Sequence, residues 1–326
     1  MAHSSPPRPV PIQQRSCAVG KFVGINAYRI NKSLLLTRLT TGGYAVTQTP
    51  HFYLAIRTIP PTMLVIHWFA PEHIDADIGY HFMQELKPLD ILKNTQDYGE
   101  LFGAIVCSLS PHEPREALRL YGQNTMRRYR QSLETHQTST IAAPTASPIT
   151  VFSTLYRRIF ALHLGSSFLD AGCSFGFLPL LIAQRFSYIT NAVGIDIQDE
   201  SFAIARALAS DLGVPHVRIE QLDLLKNDVL NLGRFDTVTL LHVLEHFSEE
   251  HMYTVLTNLL PITARRLIIA VPYEVGAAED AYGHLQLFTS AKLLQLGHWC
   301  LQQWGEGHMH YEDSADGLLV LDRSLK

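Results

Sequence analysis

The 326-residue chain has only four cysteines, Cys17, Cys107, Cys173 and Cys300, widely spaced and without a CxxC pair. That pattern excludes a disulfide frame and a cysteine-based zinc module, and it reads as free thiols in a reducing cytoplasm. No apolar run approaches the roughly 20 residues that a bilayer crossing needs, although mean hydropathy is slightly positive at +0.05. Met1 to Arg15 shows no apolar stretch behind a basic one, so it does not read as a secretory signal. Internal repeats are missing too. Charged residues make up 17% of the chain and hydrophobic ones 47%, enough apolar material for a sizeable core and too much for a disordered chain.

The length suits two domains. The net charge of −4 divides unevenly: residues 1–135 carry 14 Lys+Arg against 10 Asp+Glu, and residues 136–326 carry 12 against 20. An acidic second half is a poor host for a phosphate backbone, since nucleic-acid affinity rests on Lys and Arg. It suits a cationic ligand. Neither a nucleic acid nor a membrane is an expected partner.

Residues 1–16 read as a disordered leader and 17–134 as a smaller α+β domain. Within it, the apolar runs Leu34–Leu36, Tyr44–Val46, Phe52–Ile56 and Met63–Phe69 suggest an antiparallel meander, with a hairpin turn at Thr40–Gly43. From Ile74 the period becomes helical, through Ile78, Phe82 and Leu86, then Leu101 and Ile105, then Leu118, Tyr121 and Met126. The Thr/Ala/Ser/Pro-rich stretch 135–148 reads as a linker. From 149 to 326 strands and helices alternate. The strands are expected at Ser167–Ala171, Ala192–Asp196, His216–Leu222, Phe235–Val243 and Leu267–Val271, with a helix-free strand at Gly317–Leu321. The expected architecture is α/β, a Rossmann-like doubly wound and mostly parallel sheet, whose ligands bind at the carboxyl ends of the strands.

Asp170-Ala171-Gly172-Cys173-Ser174-Phe175-Gly176 follows the first of these strands and opens a helix. Glycine lets the backbone turn tightly and approach a ligand, and the amides of the following helix favour an anionic group. Twenty residues past Gly176, Asp196 ends the second strand, where an acid accepts both hydrogen bonds of a ribose diol. Asp223 ends the third, a candidate for an adenine amino group.

The run Phe168–Cys173, then Gly194-Ile195-Asp196, then Phe235-Asp236 leading through Leu241-His242-Val243-Leu244-Glu245-His246-Phe247, resembles class I S-adenosylmethionine-dependent methyltransferases over residues 149–326. The resemblance implies a seven-stranded sheet with an antiparallel last strand and S-adenosylmethionine as cofactor. It places Asp170, Gly172, Cys173 and Gly176 at the methionine part, Asp196 with Ile197 at the ribose, Asp223 with Leu224 at the adenine, and His242 beside the cofactor. Ser174 departs from the glycine that many members have there. For methyl transfer to a hydroxyl a general base is needed. The candidates are His246, after the fourth strand, then His284 in the substrate-facing stretch Tyr282–Phe288, then Glu274. Residues 102–130 and the Tyr282–Thr289 stretch are similar to oligosaccharide O-methyltransferases of the mycofactocin type, which points to a small-molecule or glycan hydroxyl as acceptor. The first domain is then expected to shape an acceptor pocket or a homodimer contact.

Other readings remain open at this level. They are N- or C-methylation, a nicotinamide oxidoreductase using Asp196 but lacking the third glycine of GxGxxG, and a non-catalytic binding module of the same fold. His242-Val243-Leu244-Glu245-His246 also matches H-x-x-E-H, a zinc peptidase pattern that requires a helix. Here it follows a β-branched run, so no metal site is expected. His308 and His310 read as unliganded loop residues, and Arg127-Arg128-Tyr129-Arg130 as the solvated face of a helix.

Overall fold

In the computed structural model, residues 22–59, 61–135, 147–198, 200–273, 283–313 and 316–324 are described. The leader, Cys17, Glu274 and residues 136–146 of the linker stretch lie outside them. The chain divides into two compact units, one built mainly from residues up to 131 and the other mainly from 150 onward.

The first unit begins with β1 (Phe22–Asn26), α1 (Lys32–Thr41), β2 (Ala45–Gln48), β3 (Phe52–Thr58) and β4 (Pro61–His67). Its sheet runs β1-β4-β3-β2, antiparallel except that β1 lies parallel to β4. Two expectations are corrected here. Leu34–Leu36 is helical, because Asn31 caps α1 by accepting from the Leu34 amide at 3.0 Å. Thr40–Gly43 therefore ends a helix and is not a hairpin turn. The strand at Phe22–Asn26, unexpected from sequence, is the parallel partner that turns the meander into a mixed sheet. α2 (Ile78–His81), a π-helical turn Phe82–Leu86, α3 (Thr95–Cys107) and α4 (Pro114–Glu134) follow. They bury Ile78, Phe82, Leu86, Leu101, Ile105, Tyr121 and Met126. Within the Arg cluster, Tyr129 is buried and Arg128 reaches Asp75 and Asp77, each at 3.4 Å, so only Arg127 and Arg130 lie on the exposed face.

The second unit alternates as expected. After α5 (Pro148–Leu162), a helix the sequence reading missed, come β5 (Ser167–Ala171), α6 (Phe177–Arg185), β6 (Asn191–Asp196), α7 (Glu200–Asp211) and β7 (Arg218–Gln221). Then follow β8 (Phe235–Leu241), α8 (Glu249–Leu259), β9 (Thr263–Pro272), α9 (Ser290–Trp304), β10 (Gly307–Asp313) and β11 (Asp316–Arg323). The seven strands are ordered β10-β11-β9-β8-β5-β6-β7, parallel from β7 to β9. β11 is antiparallel to both of its neighbours. Gly307–Asp313 is thus a strand and not a loop, and His308 and His310 share its exposed face.

The middle strands carry apolar residues on both faces. Leu169, Val193, Val238 and Leu267 on one face, and Phe168, Ala192, Ile268 and Ala270 on the other, are all fully buried, the larger of them contributing about 1.5–3 kcal/mol each by leaving water. Ser248 caps α8 through the His251 amide, and Glu249 and Glu250 complement its dipole. β5 and β8 lie side by side in the middle of the sheet, where strand order reverses, so the turns after them adjoin.

Candidate functional site

The turn after β5 is a backbone structure. Gly172, Ser174 and Gly176 all adopt left-handed φ, at 81°, 49° and 72°. The amides of Gly172 and Cys173 both donate to the Ile195 carbonyl, at 2.8 and 3.0 Å, which pins the turn to the end of β6. A Cβ on Gly172 would collide with the Val243 side chain, and one on Gly176 would lie 2.8 Å from Ile219 Cδ1. Glycine is required at both places by sterics as well as by φ. Cys173 is buried beneath the turn against Gly194, and burial holds its thiol well above the usual range. Its side chain is packing, and its amide is already used. Ser174 is exposed and accommodates a conformation that glycine would adopt freely. α6 begins after Gly176 without a side-chain cap, and the amides at a helix N-terminus are natural donors to an anionic group.

Two carboxylates frame this turn. Asp196 accepts from the Ser174 amide through Oδ2 at 2.8 Å and from the Gln198 amide through Oδ1 at 3.0 Å. Each oxygen thus keeps a further lone pair for a ligand hydroxyl. Burial raises its pKa, with the backbone donors opposing. Asp170 is 5% exposed and accepts from the Thr239 hydroxyl at 2.7 Å. Burial pushes its carboxyl up to about 7, the Thr239 bond opposing and the Asp196 charge adding. A cation placed nearby would reverse that shift.

The remaining expected cofactor residues divide. Ile197 is an apolar side chain left 51% exposed just past β6. Asp223 accepts from the Leu225 amide at 2.9 Å and closes its own turn. Leu224 is 6% exposed and packs into the apolar core, so it offers little side-chain surface.

The turn after β8 is built from side chains. His242 has φ 53°, and its ring packs on Phe152 at 5.0 Å with Nε2 3.2 Å from Asp316 Oδ2 on β11. Leu244–His246 is a short 3-10 turn, so the H-x-x-E-H residues do not share an α-helix. His242 turns to Asp316 while His246 turns to His284, whose ring centroid is 4.9 Å away at 73°. Glu245 is 1% exposed. Its backbone carbonyl accepts from the Leu285 amide at 2.7 Å, and the Gln286 amide group donates to the Leu244 carbonyl at 3.0 Å. These bonds strap residues 284–286 to the turn and carry His284 to His246. Glu245, His246 and His284 each offer a ligand atom within 4.8 Å of the others, a spacing that accepts a divalent ion. Glu274 lies outside the described residues.

Sequence reasoning missed Asp316 and Glu245 as site residues. Asp316 stands 74 positions from the histidine it meets, and no local pattern announces such a pairing. Asp236, at the start of β8, sits at the opposite edge of the sheet. It accepts from the Ser166 and Ser167 amides at 2.9 and 3.1 Å, a role in holding the loop before β5.

Residues 168–265 match the family described as a methyltransferase domain. No curated protein matches the chain. Among solved structures, an O-methyltransferase family protein from Burkholderia thailandensis is 13% identical, covers 90% of this chain and 83% of its own, and gives a TM-score of 0.49. The magnesium protoporphyrin IX methyltransferase of Synechocystis, solved with S-adenosylmethionine, is 20% identical over 64% of this chain and 97% of its own, with a TM-score of 0.42. A bacterial methyltransferase domain, CtHen1, is 15% identical over 54% and 97%, with a TM-score of 0.45.

Proposed function

We propose that this S-adenosylmethionine-dependent methyltransferase of the class I fold methylates a hydroxyl of a small molecule or glycan, with His246 as general base. The supporting observation is the pair His246 and His284, two imidazoles 4.9 Å apart at the carboxyl edge of the sheet. No apolar helix able to span a membrane occurs among the described residues, and a cytoplasmic setting is part of the proposal, as is an acceptor-shaping or homodimer role for the first unit.

The donor set fits the cofactor. Asp196 presents two carboxylate oxygens to a diol, the uncapped amides of α6 suit a carboxylate, and buried Asp170 suits an ammonium or sulfonium cation. When bound, S-adenosylmethionine supplies an electrophilic methyl group. The chain's own work is positioning, which can contribute roughly 7–11 kcal/mol, and taking the acceptor proton onto an imidazole, worth about 10²–10⁴-fold. The strapped segment 284–286 keeps His284 beside His246 while the acceptor is held.

His246→Ala should lower turnover by about 10²–10⁴-fold with cofactor affinity within about twofold of wild type. The measurements are turnover with labelled S-adenosylmethionine, on an acceptor first found by screening glycan and small-molecule extracts, and calorimetric titration of the cofactor. Wild-type turnover in the variant would remove His246 as base.

The approach of Glu245, His246 and His284 within 4.8 Å favours one second reading. In it a divalent cation on these three groups binds the acceptor oxygens, and the acceptor then carries vicinal oxygens. Loss of turnover on chelation, restored by adding Mg²⁺ or Mn²⁺, selects this reading. Full turnover in chelator selects the metal-free base.

A further inference from the structure

A second cluster of ligating side chains lies in the first unit, in no part of the methyl-transfer reading. His51 stands at the turn before β3, His81 ends α2, and Glu85 lies in the π-helical turn that follows. Glu85 Oε1 is 2.6 Å from His51 Nδ1 and 3.3 Å from His81 Nδ1. The two imidazoles have their centroids 4.3 Å apart, tilted by 55°. Two ring nitrogens from separate elements therefore converge on one carboxylate oxygen.

We propose that His51, His81 and Glu85 form a binding site for a divalent transition-metal cation of the zinc type, with one coordination position left open. Two imidazole nitrogens and one carboxylate oxygen are a donor set that zinc accepts, with a fourth position for water or an exogenous ligand. Imidazole donors select against magnesium and calcium, which take oxygen.

The surroundings orient these donors as an outer shell orients metal ligands. Glu85 Oε2 is occupied by the Thr49 hydroxyl at 2.6 Å and the His51 amide at 2.9 Å, which turns Oε1 toward the two rings. Phe69 stacks on the His51 ring at 5.3 Å and 10°, and lies 5.1 Å from the His81 ring. Phe52 meets Phe69 edge-on at 5.4 Å. Both rings are thus held against an aromatic wall. A π-helical turn is a rare feature that recurs at functional sites, and here it carries the carboxylate. The Glu85 side chain is 9% exposed and that of His51 41%, so the site has a route to solvent.

A cation there would cross-link the β2–β3 turn to α2, so metal should stabilise the fold as well as bind. The test uses the full chain without a histidine tag, stripped by chelator, then titrated with Zn²⁺ against a chromophoric chelator and with Co²⁺ by visible absorption. The expected result is one equivalent bound, an intense tetrahedral-type Co²⁺ band, and a melting temperature raised by roughly 4 °C or more. His51→Gln and Glu85→Gln should each weaken binding by more than the roughly 10–100-fold typical of outer-shell changes, and His246→Ala should leave it unchanged. Because His51 is half-exposed at a turn, His51→Gln should fold, which circular dichroism checks. Absence of the band, or metal that persists in both His51→Gln and Glu85→Gln, would overturn the site. So would metal lost only in His246→Ala, which assigns the cation to the Glu245 cluster.

Discussion

Along one edge of the seven-stranded sheet, the turn after β5 and the turn after β8 hold their chemistry by different means. The first is set by backbone. Gly172 and Gly176 sit where a Cβ would strike Val243 or Ile219, and amides of the turn bond to the Ile195 carbonyl and the Asp196 carboxylate. The second is set by side chains gathered from far apart, with His242 on Asp316 and His246 on His284. A change in the first turn should cost folding and binding together. A change in the second should cost turnover while the fold stays intact.

Gly172→Ala is the sharpest way to break that contrast. The left-handed φ costs about 1–2 kcal/mol for a residue with a Cβ, and overpacking against buried Val243 adds about 1–3 kcal/mol. The variant should lose about 2–5 kcal/mol in chemical denaturation and bind cofactor poorly. Adding Val243→Ala should return part of the overpacking share, since residues in contact couple. If Gly172→Ala melts with wild type, the turn is not sterically set. Asp196→Ala comes next. It removes a charged acceptor from two backbone amides and from the proposed ribose site, and should weaken S-adenosylmethionine by about 1.5–3 kcal/mol. Unchanged affinity by calorimetry would remove Asp196 from the site.

Asp170 gives an effect that is spread over pH and has a definite sign. In the folded protein its carboxyl titrates at about 7, against 3.8 for an ordinary aspartate. The folded state therefore binds the extra proton between those values, and stability falls as pH rises from about 4 to 7, by up to about 1.4 kcal/mol per unit. A bound cationic cofactor favours the ionised form, so affinity should rise with pH and level off above about 7. Asp170→Asn should flatten both profiles. Denaturation and calorimetry between pH 5 and 8 read them, and a slope that survives in Asp170→Asn places the proton elsewhere.

The same contrast explains what could be read from sequence. β5 emerged with its bounds intact, because buried strands are continuous apolar runs and Gly172 marks the turn after it. Ser248 and Pro261 bracket α8, and Gly213 follows α7, as ordinary helix start and stop signals in the sequence. Leu34–Leu36 failed because three adjacent apolar residues carry no period, and the deciding Asn31 cap lies outside the run. β10 had a usable signal: His308 and His310 alternate with half-buried Met309 and Tyr311, a period of two that reads as strand. His242 with Asp316 had none, since nothing local records a contact made by β11 doubling back between β9 and β10.

Ser174 lets the backbone rule be tested where it is weakest. It is the one position of the left-handed trio without glycine, at φ 49°, and its side chain is exposed. Exposure means that no neighbour opposes the Cβ there, in contrast to Gly172 and Gly176. What remains is the conformational strain alone, offset by the entropy that glycine forfeits on folding, roughly 0.5–1 kcal/mol. Ser174→Gly should therefore stabilise the protein by at most about 1 kcal/mol, with the Asp196 bond retained because it uses the backbone amide. Denaturation midpoints of Ser174→Gly and Ser174→Val measure this, the β-branched residue being the costlier of the two. If valine is tolerated as well as glycine, the turn takes its shape from the flanking glycines and Asp196 alone, and residue 174 only follows.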